Sequence, residues 1–356
     1  MKCAATRLRF QSPSGFSYHY LPTAQPANIV SDSLNFSDRS KPSFIEVGPE
    51  HEGQRVDNYL LGRFKGLPKS RVYQMIRKGE LRVNKSRAKP TTRLCSGDLL
   101  RLPPLQWSET SKPQVSASLS DVLKASVLFE DDALLVLNKP SGLAVHAGSG
   151  VAVGLIEAMR DIRPDLKYLE LAHRLDRETS GCLVLAKRGS VLRRLHEAFR
   201  RDDARSSMLD KRYLCLVLGR WRHGARRVEK PLLTDARRRG ERHVVVSSDG
   251  VYAASLMRPV DVSDAASLIE VTILTGRTHQ VRVHTQSEGH PIAGDTRYGD
   301  DAFNQRMRQA GLKRLFLQAS RLTFTHPISN QTVSFDAPLP DELRAVLSQL
   351  NLTTTR

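Results

Sequence analysis

The sequence predicts an α+β protein in two parts: a small basic helix–helix–strand module, then a larger domain built on a mixed, largely antiparallel sheet. Three observations carry this. Between residues 127 and 350, short apolar runs alternate with helical stripes and are joined by tight turns, the pattern of sequential strands pairing with their neighbours. Upstream, residues 53–104 hold thirteen Lys and Arg against only Asp57, Glu80 and Asp98. Between the two lies the Ser-rich stretch 105–121, whose composition is that of a linker.

Taken in order, residues 1–43 are polar and poor in acids, with Pro13, Pro22 and Pro26 interrupting any helix, and are expected to be a disordered extension. Residues 44–104 form the basic module. Val56, Leu60, Leu61 and Phe64 give one helical stripe, and Val72, Met75 and Ile76 give the inward face of a second helix. Ser70 is the candidate cap of that helix and Gly79 its stop, with a strand over 81–84 and an extended segment over 94–102 turning at Ser96-Gly-Asp98. After Pro103-Pro104, residues 105–121 are expected to be a flexible tether, which raises the effective concentration of one part for a ligand held by the other.

The second domain, 122–351, opens with runs 127–129 and 134–137 flanking the acidic turn Glu130-Asp-Asp132, as in a hairpin. A helix is expected near 153–159, a buried strand over 182–186, and a helix whose inner stripe is Leu192, Leu195 and Phe199. Strands follow over 213–218, 251–259 and 267–274. The alternating 272–284 region reads as a further strand or strand edge. A last helix after Asp341 carries Leu343, Val346, Leu347 and Leu350. Arg200-Arg201, Arg226-Arg227 and Arg237-Arg-Arg239 are expected mostly on loops, where guanidinium forks suit phosphate.

Composition bounds the function. The chain of 356 residues is 40% hydrophobic and has no apolar run long enough to span a membrane. Its formal charge is +18, a field that attracts nucleic acid through phosphate contacts and counterion release. The four cysteines, Cys3, Cys95, Cys182 and Cys215, form no C-x-x-C pair and no zinc spacing. No metal, cofactor or disulfide is therefore expected, and the thiols suit a reducing cytoplasm. No G-x-G-x-x-G or phosphate-binding loop occurs.

The stretch around which the second domain is organised is Leu169-Glu-Leu-Ala-His-Arg-Leu-Asp-Arg-Glu-Thr-Ser-Gly-Cys182. It packs His173, Arg174, Asp176, Arg177 and Glu178 into a short loop between apolar runs. Such a loop is either an exposed, charge-balanced turn or a display platform held by rigid strands. An aspartate flanked by two arginines keeps its charge easily. Three further stretches decide between these readings: Asn138-Lys-Pro-Ser-Gly142 with His146, Lys211-Arg-Tyr-Leu-Cys-Leu-Val-Leu-Gly219, and Gly276-Arg-Thr-His-Gln-Val-Arg-Val-His284. With the His173–Gly181 loop, and in this order, they resemble the motif set of the large family of RNA pseudouridine synthases that act on ribosomal RNA. The basic module, in turn, resembles the S4 RNA-binding domain. The likeness runs from about Phe44 to Leu350.

The resemblance implies isomerisation of specific uridines, several rather than one, in 23S large-subunit ribosomal RNA by a monomeric cytoplasmic enzyme without a cofactor. The N1–C1′ bond of uridine breaks, the base turns, and C5 bonds to C1′, losing its proton while N1 gains one. As the bond breaks the sugar carbon becomes electron-poor, and one carboxylate can stabilise or trap it. The matching position is Asp176. The family's carboxylate acts either by attack on C1′ or by abstraction of a sugar proton, and the sequence is compatible with both. Arg282 matches the arginine that pairs with this aspartate, Tyr213 the tyrosine that stacks on the uracil, and Leu317 a residue of the active-site wall. Arg174 matches a residue that holds open the space left by the flipped nucleotide, and His173 shapes the loop. In the S4-like module Lys69, Arg71, Arg77 and Lys78 would grip the RNA backbone. Two other functions fit parts of the pattern: a non-catalytic S4-type ribosome-assembly factor, and a synthase acting on other rRNA sites or on tRNA. Hydrolysis by His173, Asp176 and Ser180 fits poorly, since all three crowd one loop without a nucleophile elbow.

Overall fold

The computed structural model describes residues 29–30, 42–64, 67–105, 115–147, 153–200, 209–235 and 243–354. The N-terminal module has a core of its own, in which Ile45, Val56, Leu60, Val72, Met75, Ile76, Leu81 and Leu100 are buried together. Its helices are Val56–Arg63 and Lys69–Lys78. The second ends as expected at Gly79, which takes a left-handed φ of 69° and so favours a residue without Cβ. Its start is different: Pro68 occupies the cap position and Ser70 lies one residue inside the helix. Most of the expected extension 1–43 falls outside the described residues. Ile29–Val30, however, forms a strand parallel to Phe44–Ile45, so an unstructured start is not what these two residues adopt. Strands Ser43–Glu46, Leu99–Leu102, Arg82–Val83 and Ser86–Arg87 complete that sheet.

The tether is shorter than composition suggested. Residues 106–114 lie outside the described residues, but Ser116 caps a helix, Ala117–Ala125, by accepting from the Leu119 N–H. The module also touches the second domain directly. The His51 ring meets Tyr168 edge-on at 5.7 Å, and Arg193 donates to the Glu52 carbonyl. The two parts are therefore in contact as well as joined through the intervening stretch.

The second domain is a ten-stranded sheet among the described residues. From one edge its strands are Arg226–Glu229, Ala254–Val262, Ala266–Ile273, Asp210–Leu218, Leu317–Thr325, Ser180–Ala186, Leu134–Lys139 and Val127–Glu130. Thr332–Asp336 pairs with Leu317–Thr325, and Glu170–Leu171 with Ser180–Ala186. All pairings are antiparallel except the central one, where Gln318 and Ala319 run parallel to Ser180 and Gly181. Both faces are covered, which is why 134–137 and 182–186 read as continuous apolar runs. Leu135, Leu137, Leu183 and Leu185 enter one core, and Leu134, Val136, Cys182, Val184 and Ala186 the other.

The expected strand over 272–284 is overturned in its second half. Strand Ala266–Ile273 stops, and Gln280–Ser287 is a helix. Val281, Arg282, Val283, His284 and Thr285 are all buried, so no solvent face imprints a helical period on the sequence. The Val281-x-Val283 alternation then mimics a strand. Polar residues hold the helix in place. Gln280 accepts from Thr275 Oγ1 at 2.7 Å and from the Arg277 N–H at 3.0 Å, and donates to the Ala254 carbonyl at 2.9 Å. Arg226 and Arg227, expected on a loop, lie in a strand and pair with Glu288 and Glu229. Arg201 and Arg237 to Arg239 lie outside the described residues.

Candidate active site

A cavity of about 350 Å³ opens where the central strands end. Asp176, His173, Arg174, Tyr213, Arg282 and Leu317 all line it. The catalytic-domain residues singled out from sequence are thus brought together. Lys69, Arg71, Arg77 and Lys78 lie elsewhere, on the second helix of the basic module.

The loop that carries Asp176 is stitched from both sides. Gly181 leaves it at φ 114°, and a Cβ there would sit 2.2 Å from the Ala319 carbonyl oxygen, so only glycine lets the two parallel strands approach. The Asn138–Gly142 motif supplies the other side. Lys139 is fully buried, and its Nζ donates to the carbonyls of Pro140, Leu143 and Arg177 at 2.8–3.0 Å. Burial pushes this lysine down to about 7 while the Asp176 charge opposes the shift. Three carbonyls are matched in full only by the three N–H bonds of the ammonium. Ser141 Oγ donates to the Glu178 carbonyl at 2.6 Å, and Arg177 Nε to that of Gly142 at 2.9 Å.

Tyr213 is delivered by Asp210–Leu218 at a register shift between Arg212 and Tyr213, a bulge that re-aims the side chain. Burial, aided by the nearby Asp176 charge, raises its phenol above the ordinary range, so the hydroxyl keeps its proton. His173 accepts the Val184 N–H at Nε2, 3.0 Å away, and packs edge-on against Phe199. Its part is to hold the loop. Burial, reinforced by the Lys211 charge, pushes it down to about 3. The native ring therefore refuses a proton that the unfolded chain takes up below about 6.5. Its share of stability is whole above that pH and lost as pH falls toward 3. His173→Gln, which keeps an acceptor but cannot titrate, is expected to flatten the fall in urea midpoint over this window. An unchanged acid profile would contradict the assignment.

The expected ion pair between Arg282 and Asp176 is not formed. Arg282 is buried, and its Nε and Nη2 donate to Asp295 at 2.7 and 2.8 Å. Asp295 Oδ1 also accepts the backbone N–H groups of Arg297 and Tyr298, each at 2.9 Å. A guanidinium on a helix buried all round needs a fixed bidentate partner, and the Asp295 loop provides one. Burial lowers Arg282, but Asp295, with Asp176 and Glu178 as further negative neighbours, outweighs it and the charge is secure. Arg282 thus shares the cavity with Asp176 and feels its charge while bonded elsewhere.

Sequence reasoning missed Asp295, Tyr298, His279 and Lys211. Asp295 and Tyr298 belong to Gly294-Asp-Thr-Arg-Tyr-Gly299, whose bracketing glycines were a usable signal. Gly294 has φ 76° with the Arg314 carbonyl against it, and Gly299 packs on the Asp295 carbonyl. His279 Nε2 lies 3.9 Å from Asp176 Oδ2. Burial pushes its ring down to about 4, against the pull of Asp176.

Residues 133–287 match the RNA pseudouridylate synthase family and residues 54–100 the S4 domain. The chain is 47% identical over 313 residues to a Yersinia pestis protein named ribosomal large subunit pseudouridine synthase C, covering 87% of this chain and 96% of that one. Proteins of the same name in Haemophilus influenzae and Escherichia coli (strain K12) are each 45% identical, over 92% and 86% of this chain and 98% and 96% of their own. Among solved structures, human RNA pseudouridylate synthase domain containing 4 superposes with a TM-score of 0.56 at 24% identity, over 67% of this chain and 98% of its own. That likeness speaks for the fold.

Proposed function

The chain belongs to the RNA pseudouridylate synthase family and carries an S4 domain, and from that premise we propose that it converts several uridines of large-subunit (23S) ribosomal RNA to pseudouridine, with Asp176 as the reacting carboxylate. It is an RNA pseudouridine synthase, an isomerase that needs no redox partner or group donor for its reaction. The observation that carries the assignment of roles is the cavity itself, where Asp176 faces Tyr213 and Arg282 across a space of about 350 Å³. A stacked uridine does not reach such a site and must be flipped out, at a cost of a few kcal/mol.

In this reading Tyr213 lays its ring against the uracil, and its protonated hydroxyl serves as a hydrogen-bond partner. Asp176 meets the sugar as the N1–C1′ bond breaks, either at C1′ or at the neighbouring carbon's proton. Arg282 supplies a fixed positive potential without neutralising Asp176 by a direct bond. Arg174, which is exposed and lines the cavity, occupies in this reading the gap left in the RNA. The buried thiols of Cys182 and Cys215 support a reducing compartment such as the cytoplasm.

Lys69, Arg77 and Lys78 are exposed on the S4 helix, whereas Arg71 is engaged by Glu80 at 3.1 Å. Replacing the first three by alanine is expected to lower the slope of log binding constant against log salt by about 2 to 3, since each phosphate no longer neutralised retains one counterion or slightly less. Arg71→Ala is expected to change it less. Titrations of binding at several salt concentrations measure both.

The test of function incubates the purified protein with unmodified large-subunit rRNA and with tRNA, and maps pseudouridine by carbodiimide-dependent reverse-transcription stops. New stops in large-subunit rRNA are expected. Stops confined to tRNA would move the substrate, and binding without stops on either RNA would leave the assembly-factor reading.

A further inference from the structure

The geometry points to His279 as a positioning residue for Asp176, with Tyr298 setting which ring nitrogen carries the proton toward that carboxylate. This rests on the reading of Asp176 as the reacting group and adds the device that aims it. His279 stands at the entry of the Gln280–Ser287 helix, with φ 54° and ψ 18°. That left-handed conformation is one that side-chain-bearing residues rarely adopt. It turns the ring into the cavity, so that Nε2 lies 3.9 Å from Asp176 Oδ2 and Nδ1 lies 2.8 Å from Tyr298 Oη.

The hydroxyl of Tyr298 decides the proton's place. Oη already accepts the Val244 N–H at 2.9 Å. Its own hydrogen is then available to Nδ1, which leaves the proton of the neutral imidazole on Nε2, toward Asp176. A carboxylate facing that nitrogen favours the same tautomer, because it attracts an N–H and repels a lone pair. A gap of 3.9 Å is too long for a hydrogen bond, so in the resting state the ring orients the carboxylate only by its dipole. Closure by about 0.7 to 1 Å around a bound uridine makes it a bond. A neutral donor holds the carboxylate in one rotamer without removing the negative charge the reaction needs.

Tyr298 ties this device to the second ionic centre. Its backbone N–H is bonded to Asp295, and the Arg282 guanidinium lies 5.0 Å from its ring centre. Asp295 and Tyr298 therefore stand behind Arg282 and His279 as one connected group, and the latter two line the cavity with Asp176.

The left-handed backbone gives the test its leverage. Glycine and asparagine both accept that conformation, so His279→Gly and His279→Asn are expected to fold with melting temperatures within a few degrees of wild type. Asparagine can still reach Tyr298 but is too short to reach Asp176. Both variants are expected to bind unmodified rRNA as wild type does, yet to form pseudouridine in single-turnover assays about 10²-fold more slowly. Added imidazole is expected to restore part of the rate to His279→Gly. Tyr298→Phe is expected to be slowed in the same sense but less. Wild-type rate in His279→Gly or His279→Asn would overturn the inference. So would recovery in His279→Asn alone, since asparagine restores the backbone conformation and the reach to Tyr298 but not the approach to Asp176. Absence of pseudouridine with the wild-type enzyme would instead overturn the reading of the site on which this rests.

Discussion

Asp176→Asn is expected to end pseudouridine formation while leaving the protein folded and bound to RNA. Asparagine has the shape of aspartate but is neutral, so it neither attacks nor accepts a sugar proton. Loss of a reacting group of this kind costs about 10⁴ to 10⁶ in rate. Beyond the support that its charge lends the buried Lys139 ammonium, the fold has little at stake, because among the described residues the ionic neighbour within 4 Å of the carboxylate is the His279 ring at 3.9 Å and the loop is held by other atoms. Those are the Arg177 carbonyl on Lys139, the Glu178 carbonyl on Ser141 and the Asp176 carbonyl on the Thr179 N–H. A half-buried isosteric change of this type usually shifts stability by under about 1 kcal/mol. Affinity for RNA should hold or rise slightly, since a negative charge is removed from a surface that meets phosphates. Tritium release from 5-³H-uridine-labelled rRNA reads the rate, and filter binding reads the affinity. Residual activity above about 1% of wild type, with RNA binding intact, would remove Asp176 from the reaction.

What the sequence made legible follows from which constraints are local. The strands over 134–137 and 182–186 were readable because both sheet faces are buried and the runs are bounded by turn residues. Asp131 makes the turn before the first, its Oδ1 accepting the Ala133 and Leu134 N–H groups at 2.8 and 2.7 Å. Gly79 was readable as a stop because the left-handed position it fills has a strong residue preference. The site was legible as far as its members lie in recognisable strings, and the cavity does collect Asp176, Tyr213, Arg282 and Leu317.

The rest was hidden for physical reasons. A helix buried on every side has no amphipathic period, so Gln280–Ser287 looked like a strand. The partner of Arg282 lies thirteen residues onward in a glycine-bracketed loop, a pairing that only tertiary packing creates. The S4 module meets the second domain through His51 and Tyr168, two aromatic residues that composition treats as ordinary core. The family's aspartate–arginine pair suggested a direct bond here. The structure instead bonds Arg282 to Asp295 and leaves Asp176 lining the cavity without that partner.

That pairing gives the second large effect. Asp295→Asn is expected to destabilise the protein by about 3–5 kcal/mol, the usual consequence of taking one partner from a buried ion pair. The amide would set an N–H against an N–H of Arg282 or give up the backbone donors of Arg297 and Tyr298, and neither choice leaves every group satisfied. Arg282→Met is expected to cost less. The Asp295 carboxylate it strands keeps two backbone N–H bonds at 2.9 Å, whereas a stranded guanidinium keeps only the more distant charges of Asp176 and Glu178. The double variant Arg282→Met/Asp295→Asn should be more stable than the sum of the two single losses predicts, because it removes both charges together. Urea unfolding of the four proteins measures the cycle. Additive losses would mean that the two side chains do not act as a pair. The single variants also separate fold from chemistry. If Arg282 serves the reaction through its charge, Arg282→Met must lose rate at temperatures where it remains fully folded, whereas Asp295→Asn, which keeps that charge in the cavity, must lose stability first.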